Sequence, residues 1–262
     1  MSIAQVIKTE LYKNSRRKSS LMLFIPMLLA IVVTFGYAHG VIELNLTTGG
    51  TGAYSCMDFI FIVWNVLSGL GIMGILLILF AAFQFSGEIE RGQVKLMLLR
   101  IGKRSTVVLG KYLATVIVSA ISIMATLVIC IVSYYLFVAH SAMGTGTFAS
   151  TMEGLSSLAI CETIGLQLLM YLLLIGIAFL VGLFANPFIT FVLTIVVMYA
   201  GNYLAGSESM ISKLLPAHWS NQLMLNETVP VMWITGSVCI TLILTVLIVA
   251  MTSVVFQRQD VK

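Results

Sequence analysis

Few residues in this 262-residue chain could carry out chemistry, and their spacing narrows the choice further. His39, His140 and His218 are isolated near the ends of apolar runs, with no His-Glu-x-x-His pair to hold zinc. Cys56, Cys130, Cys161 and Cys239 lie far apart without a Cys-x-x-Cys pair, so neither a metal site nor a disulfide framework is expected. Gly102-Lys103 and Gly110-Lys111 lack the upstream glycine of a phosphate-cradling loop, and no serine-nucleophile signature is present. The expectation is a chain that is not an enzyme, with no catalytic residue, metal or cofactor of its own. What remains is one charge-dense segment, residues 84–112, and a scatter of polar residues inside apolar stretches. Of these, Asn65, Glu162, Gln167 and Asn202 read as a candidate translocation path. Glu162 has two readings, because a charge at mid-membrane costs about 2.5–3.5 kcal/mol on insertion scales. It is either a substrate contact or proton relay facing a polar interior, or a hydrated residue at the outer interface.

Membrane-spanning elements must position these groups. The chain is 60% apolar and 9% charged, where soluble domains carry about 25% charged residues. Apolar runs of about 18 residues or more recur, each long enough to cross a hydrocarbon core of roughly 30 Å. The expected fold is all-α and polytopic, a single transmembrane domain over 1–262 with spans at 21–39, 59–83, 106–138, 158–184, 187–205 and 232–256. Residues 158–205 would form a helix roughly 70 Å long at 1.5 Å per residue. The chain must therefore reverse, and Asn186-Pro187 supplies the turn, since a residue before proline is disfavoured in the helical region.

Residues 1–20 place Ile3, Val6, Ile7 and Leu11 at helical spacing and end in Lys13, Arg16, Arg17 and Lys18. They predict an amphipathic helix in the membrane interface, basic residues toward anionic headgroups. Glu10 falls on its apolar side. The run over 21–39 is span-length, which favours an uncleaved first span over a secretory signal. In the second span Gly69, Gly71 and Gly74 allow close helix packing. Residues 206–231, with Pro216, His218, Trp219 and Pro230, are too short to span and too apolar for an ordinary loop. They predict an interfacial or re-entrant segment.

Basic residues number five before the first span, six in 84–112, one (Lys213) in 206–231 and two in the tail. Six spans then put thirteen of the fourteen on one side, and the positive-inside rule makes that side cytoplasmic, with both termini. The net charge of +4 is thus a topology signal and not one for nucleic acid. Within 84–105, Val94, Met97, Leu98 and Ile101 recur at helical spacing, with Glu88 and Glu90 before them and Arg100, Lys103 and Arg104 after. Charge of that polarity suits a helix dipole, so a short surface helix over 88–101 is expected between spans 2 and 3. Lys103, Arg104 and Lys111 are assigned to lipid headgroups.

The stretch SGEIERGQVKLMLLRIGKRS, followed five residues later by Gly110-Lys111, resembles the first cytoplasmic loop of ABC-2-type transporter permeases. The matching positions are Glu88, Gly92, Met97, Leu98, Arg104, Gly110 and Lys111. The proline common after the Leu-Leu pair is replaced by Arg100-Ile101-Gly102. The six-span plan, the tight turn between spans 4 and 5 and the segment before span 6 agree with that family. The resemblance implies a coupling helix that docks on a separate ATP-binding subunit through Glu88, Glu90, Arg91, Gly92, Lys95, Met97 and Leu98. It implies a second permease, identical or not, with ATP and Mg held by the ATPase subunits. It further implies a bacterial plasma-membrane exporter of a hydrophobic or peptide substrate, of the kind found in peptide-antibiotic (lantibiotic) self-immunity. Two other classes stay open: an ion-driven secondary transporter, and a membrane immunity or receptor protein that binds without transporting.

Overall fold

Apolar runs bounded by turn chemistry become helices throughout the computed structural model. It describes residues 2–42, 54–101, 103–151, 155–224 and 229–258. Glu43, Asn45-Leu46-Thr47, Gly102, Glu153 and residues 259–262 lie outside the described residues.

Among the described residues ten α-helices follow one another. Helix α1 (Ile3–Arg16) opens with a capping box in which Ser2 and Gln5 satisfy each other's backbone N–H groups. A 3-10 turn, Lys18–Phe24, leads into α2 (Ile25–Ala38), where Pro26 occupies the first turn. The remaining helices are α3 (Cys56–Gly69), α4 (Ile72–Glu90), α5 (Gln93–Ile101), α6 (Arg104–Ser133), α7 (Ser157–Val181), α8 (Pro187–Ala205), α9 (Pro216–Met224) and α10 (Val231–Arg258). Helix α6 continues as one π-helical turn, Tyr134–Val138. Six helical segments are long and apolar enough to cross a membrane: Lys18–Ala38, Ile72–Glu90, Arg104–Val138, Ser157–Val181, Pro187–Ala205 and Val231–Arg258. Of these, α4 and α7 are mostly buried among the others, whereas α2, α6, α8 and α10 keep broad apolar faces outward. Those faces suit lipid.

The second span departs from expectation. A single helix over 59–83 is replaced by α3 and α4, parted at Leu70-Gly71. Gly71 takes φ 73°, a left-handed conformation that a side chain resists. Helix α3 is about 21 Å long at 1.5 Å per residue, too short to cross alone, and it is buried nearly all round from Cys56 to Trp64. Hydropathy cannot see such a break, since both pieces are apolar. The reversal at Asn186-Pro187 does form: the Asn186 side chain accepts the Ile189 N–H at 2.9 Å, and Ser86 Oγ donates to the Ala185 carbonyl at 2.5 Å. The segment before the last span contains a 3-10 turn, Ser212–Leu214, and α9, which packs along α7.

Asp58 joins α3 to the connection that follows α6. It is fully buried and accepts from Ser55 Oγ (2.6 Å), from the Thr151 N–H and hydroxyl (both 3.1 Å) and from Ser150 Oγ. Beside it the Cys56 N–H donates to the Thr147 carbonyl at 2.9 Å, and Tyr134 Oη donates to the Tyr54 carbonyl at 2.7 Å. Removing the acceptor leaves the buried Ser55 hydroxyl unpaired, at about 1–3 kcal/mol, and releases the less buried Ser150 and Thr151. Asp58→Ala is therefore expected to lower the melting temperature in detergent and to open 143–151 to limited proteolysis. An unchanged digestion pattern would show that Asp58 does not hold this connection.

Candidate functional site

At the end of the bundle where α1, α5 and the α7–α8 turn lie, four charged side chains from three helices meet Arg17, the residue that follows α1. Lys111 of α6 is 1% exposed, Glu88 of α4 2% and Glu10 of α1 2%. Lys111 Nζ sits 2.9 Å from Glu10 and also pairs with Glu88. Lys13 bridges the same two carboxylates at 2.7 Å each, and Arg17 Nη1 lies 2.6 Å from Glu88. Amides complete the group: Arg17 donates to Gln84 at 3.0 Å and to Gln93 at 3.3 Å, and Gln84 donates to Asn14 at 2.6 Å. Three cations thus face two carboxylates. Burial, and then the charge of Lys111, lower the Lys13 ammonium from its usual value, while Glu10 and Glu88 act in the opposite direction.

Local sequence explains the arrangement. Val6, Glu10 and Asn14 form an i, i+4, i+8 stripe, and this is the buried face of α1. A Cβ on Gly110 would overlap the Val6 side chain, so the glycine lets α1 lie against α6 with Glu10 at the level of Lys111. Gly92 has φ 69° and turns the chain from α4 into α5. Val94 and Ile101 then bury α5 against Ala81, Phe85, Val107 and Val108. Arg104 Nη1 donates to the Phe256 and Gln257 carbonyls at 3.1 Å each, capping the end of α10.

These contacts correct several expectations. Glu10 is not a flaw in an apolar face but an anchor. Lys111 and Arg104 bind protein groups and not headgroups; Lys103 is exposed. The surface helix spans Gln93–Ile101 and not 88–101, so Glu88 and Glu90 end α4 and do not open α5. Glu88 is buried and cannot be an exposed contact for a partner. Glu90, Arg91 and Lys95 are exposed, and Gly92, Met97 and Leu98 are half-buried. Leu96 and Leu99, which the sequence pattern did not single out, are 68% and 84% exposed; each falls between the buried positions of α5, which is the signal that could have found them.

At the opposite end, α3, α7, α8 and α9 enclose a cavity of about 280 Å³. Asn65, Gln167 and Asn202 all line it, so three of the four polar residues expected on a path come together. Glu162 does not. It is exposed on the second turn of α7, away from the cavity lining. Trp64 Nε1 donates to Gln167 Oε1, and Gln167 Nε2 donates to Ser220 Oγ at 3.2 Å. Among the described residues no cluster of His, Cys, Asp and Glu could hold a metal ion.

Removing one partner of a buried ion pair costs about 3–5 kcal/mol, because the other is left uncompensated. Lys111→Met is expected to destabilise the purified protein by that order. Because Glu10 and Lys111 touch, Glu10→Gln combined with Lys111→Met should cost less than the two single changes added, by about 1 kcal/mol or more. Additive losses in thermal unfolding would mean that the two residues do not act together.

No curated protein matches this sequence. The chain belongs to the family described as protein of unknown function (DUF2705), which matches residues 23–262.

Proposed function

We propose that this chain is the membrane-spanning permease subunit of an ATP-binding-cassette exporter, driven by separate ATPase subunits and paired with a second permease. The observation that carries the reading is α5. It lies outside the six spanning segments, and one face is held by Val94, Ile101 and the Arg17–Gln93 bond. Its other face presents Lys95, Leu96 and Leu99 outward. Exposed leucines on a short surface helix suit an apolar groove on a partner, and Glu90, Arg91 and Lys95 add polar contacts at the rim. A displacement of α5 would reach α1, α4 and α6 through the ion cluster. The basic-residue count supports placing this end, and both termini, in the cytoplasm of a bacterial plasma membrane. The moved substrate is hydrophobic or amphipathic, with a peptide antibiotic in a self-immunity system the case that the resemblance favours.

The buried charges give a second reading, an ion-driven carrier, some support. However, Glu10 already has two cationic partners and Glu88 three, which leaves little for a passing ion to bind.

Two experiments test the proposal. Co-expressed with an ATPase subunit encoded beside it, the chain should co-purify. Lys95→Glu with Leu99→Asp should abolish assembly and transport-linked ATP hydrolysis without lowering the melting temperature of the chain alone; unchanged assembly would overturn the docking surface. For orientation, reporters at Thr48 and Phe148 should read as external and one at Lys262 as cytoplasmic. A cytoplasmic signal at Thr48 or Phe148 would invert the topology.

A further inference from the structure

The cavity at the end opposite the ion cluster is lined without a single formal charge. Gln167 stands ten residues into α7, about 15 Å along it, so the cavity reaches well into the spanning region. Its floor is fixed, because the Gln167 carboxamide is held at its oxygen by Trp64 and at its nitrogen by Ser220. Three further carboxamides, of Asn65, Asn202 and Asn221, line the same space and make no side-chain hydrogen bond among the described residues. Met170, Met198 and Met224 form the apolar wall together with Tyr171, Leu174 and Ala217.

We infer that this cavity binds an uncharged apolar peptide segment, gripped through its backbone amides by Asn65, Asn202 and Asn221. A carboxamide offers both a donor and an acceptor, as does each peptide unit. A lipid ester only accepts, and a phospholipid headgroup brings charges for which this lining has no counterpart. A free peptide terminus would meet the same obstacle, since a buried charge needs a partner. Methionine side chains are flexible and polarisable and so accommodate apolar side chains of different shapes. At about 280 Å³ the cavity lies near the low end of small-molecule sites, about 300–1,000 Å³, which limits the gripped segment to a short one. The inference deepens the permease reading, resting on it for the transport of a bound peptide and not for binding itself.

The test uses the full chain purified in lipid nanodiscs without any ATPase. N-acetyl-Leu-Leu-amide is titrated while tryptophan emission is followed, with calorimetry on the same samples. Saturable binding is expected, with the unblocked zwitterion Leu-Leu about tenfold weaker or more. Asn65→Leu and Asn202→Leu should each weaken the blocked peptide by about fivefold or more. Asn202 is exposed at the mouth, so its replacement does not put folding at risk, and Lys8→Glu on the exposed face of α1 should leave binding unchanged. Absence of saturable binding, equal binding of the zwitterion, or wild-type affinity in both asparagine variants would each overturn the inference. Binding by a chain that assembles with no ATPase would support this site while sinking the permease reading. Assembly with an ATPase but no peptide binding would do the reverse.

Discussion

The Lys111 ammonium is the constraint on which this fold turns. It is buried where three helices converge, and a lone charge there would be expensive. Glu10 and Glu88 compensate it only if α1 lies against α6 in one register and α4 ends at one height. Such a cluster need not add net stability over a well-packed apolar core. Its effect is to penalise alternatives, since sliding α1 by one turn would part Glu10 from Lys111 and Lys13 from Glu88. Gly110 reinforces the same register sterically, because only a residue without a side chain admits Val6. Arg17 then extends the group to Gln93, the first residue of α5. Position of the surface helix is thereby linked to position of the spans.

Helix α4 connects this end of the molecule to the other. It carries Glu88 near its last turn, and its first turn follows the Leu70-Gly71 corner, about 25 Å away at 1.5 Å per residue. There Gly71 and Gly74 face Met198, and Gly71 also faces Tyr199. Met198 belongs to the cavity wall, and α3 beyond the corner contributes Asn65, Ser68 and Gly69. A shift of α4 along its axis would thus be felt at both ends: by the ion cluster through Glu88, and by the cavity through the glycines that lie against α8. Small residues at the contact let the helices approach closely, so even a slight displacement must move the methionine.

Hydropathy and charge counting made the six spanning segments and the Asn-Pro turn legible, because both follow from the one-dimensional order of apolar, basic and turn residues. What those signals cannot carry is pairing across the chain. Lys111 counted as one more positive charge near a membrane, and nothing local distinguishes a headgroup anchor from a buried partner of residues 23 and 101 positions away. Glu10 was visible as an acid on an otherwise apolar face, and that misfit was the one clue to the cluster. The break between α3 and α4 was hidden for a different reason: Gly69, Gly71 and Gly74 read equally well as packing glycines in a continuous helix. Asp58 left only the faint Ser55-x-x-Asp58 capping pattern, because its other donors come from the distant residues 150 and 151. Asn65, Gln167 and Asn202 could be picked out singly as polar residues in apolar runs, but not as neighbours.

The internal contacts also change what the motif in 84–112 can mean. Glu88 compensates Lys111, Gly92 turns the corner into α5, Arg104 caps α10, and Gly110 admits Val6. Each of these positions is already used inside the chain. A pattern built from such residues specifies how a surface helix is mounted on its spans, and it is silent about what the helix touches. The information about a partner must therefore sit in the residues left over, Glu90, Arg91, Lys95, Leu96 and Leu99, whose side chains point away from the mount. Two chains could share the mount and differ entirely in these five positions. A change at Glu88 would then damage the fold whatever the partner, whereas a change at Leu99 would damage only the contact. The exporter reading stands or falls on the second kind of residue.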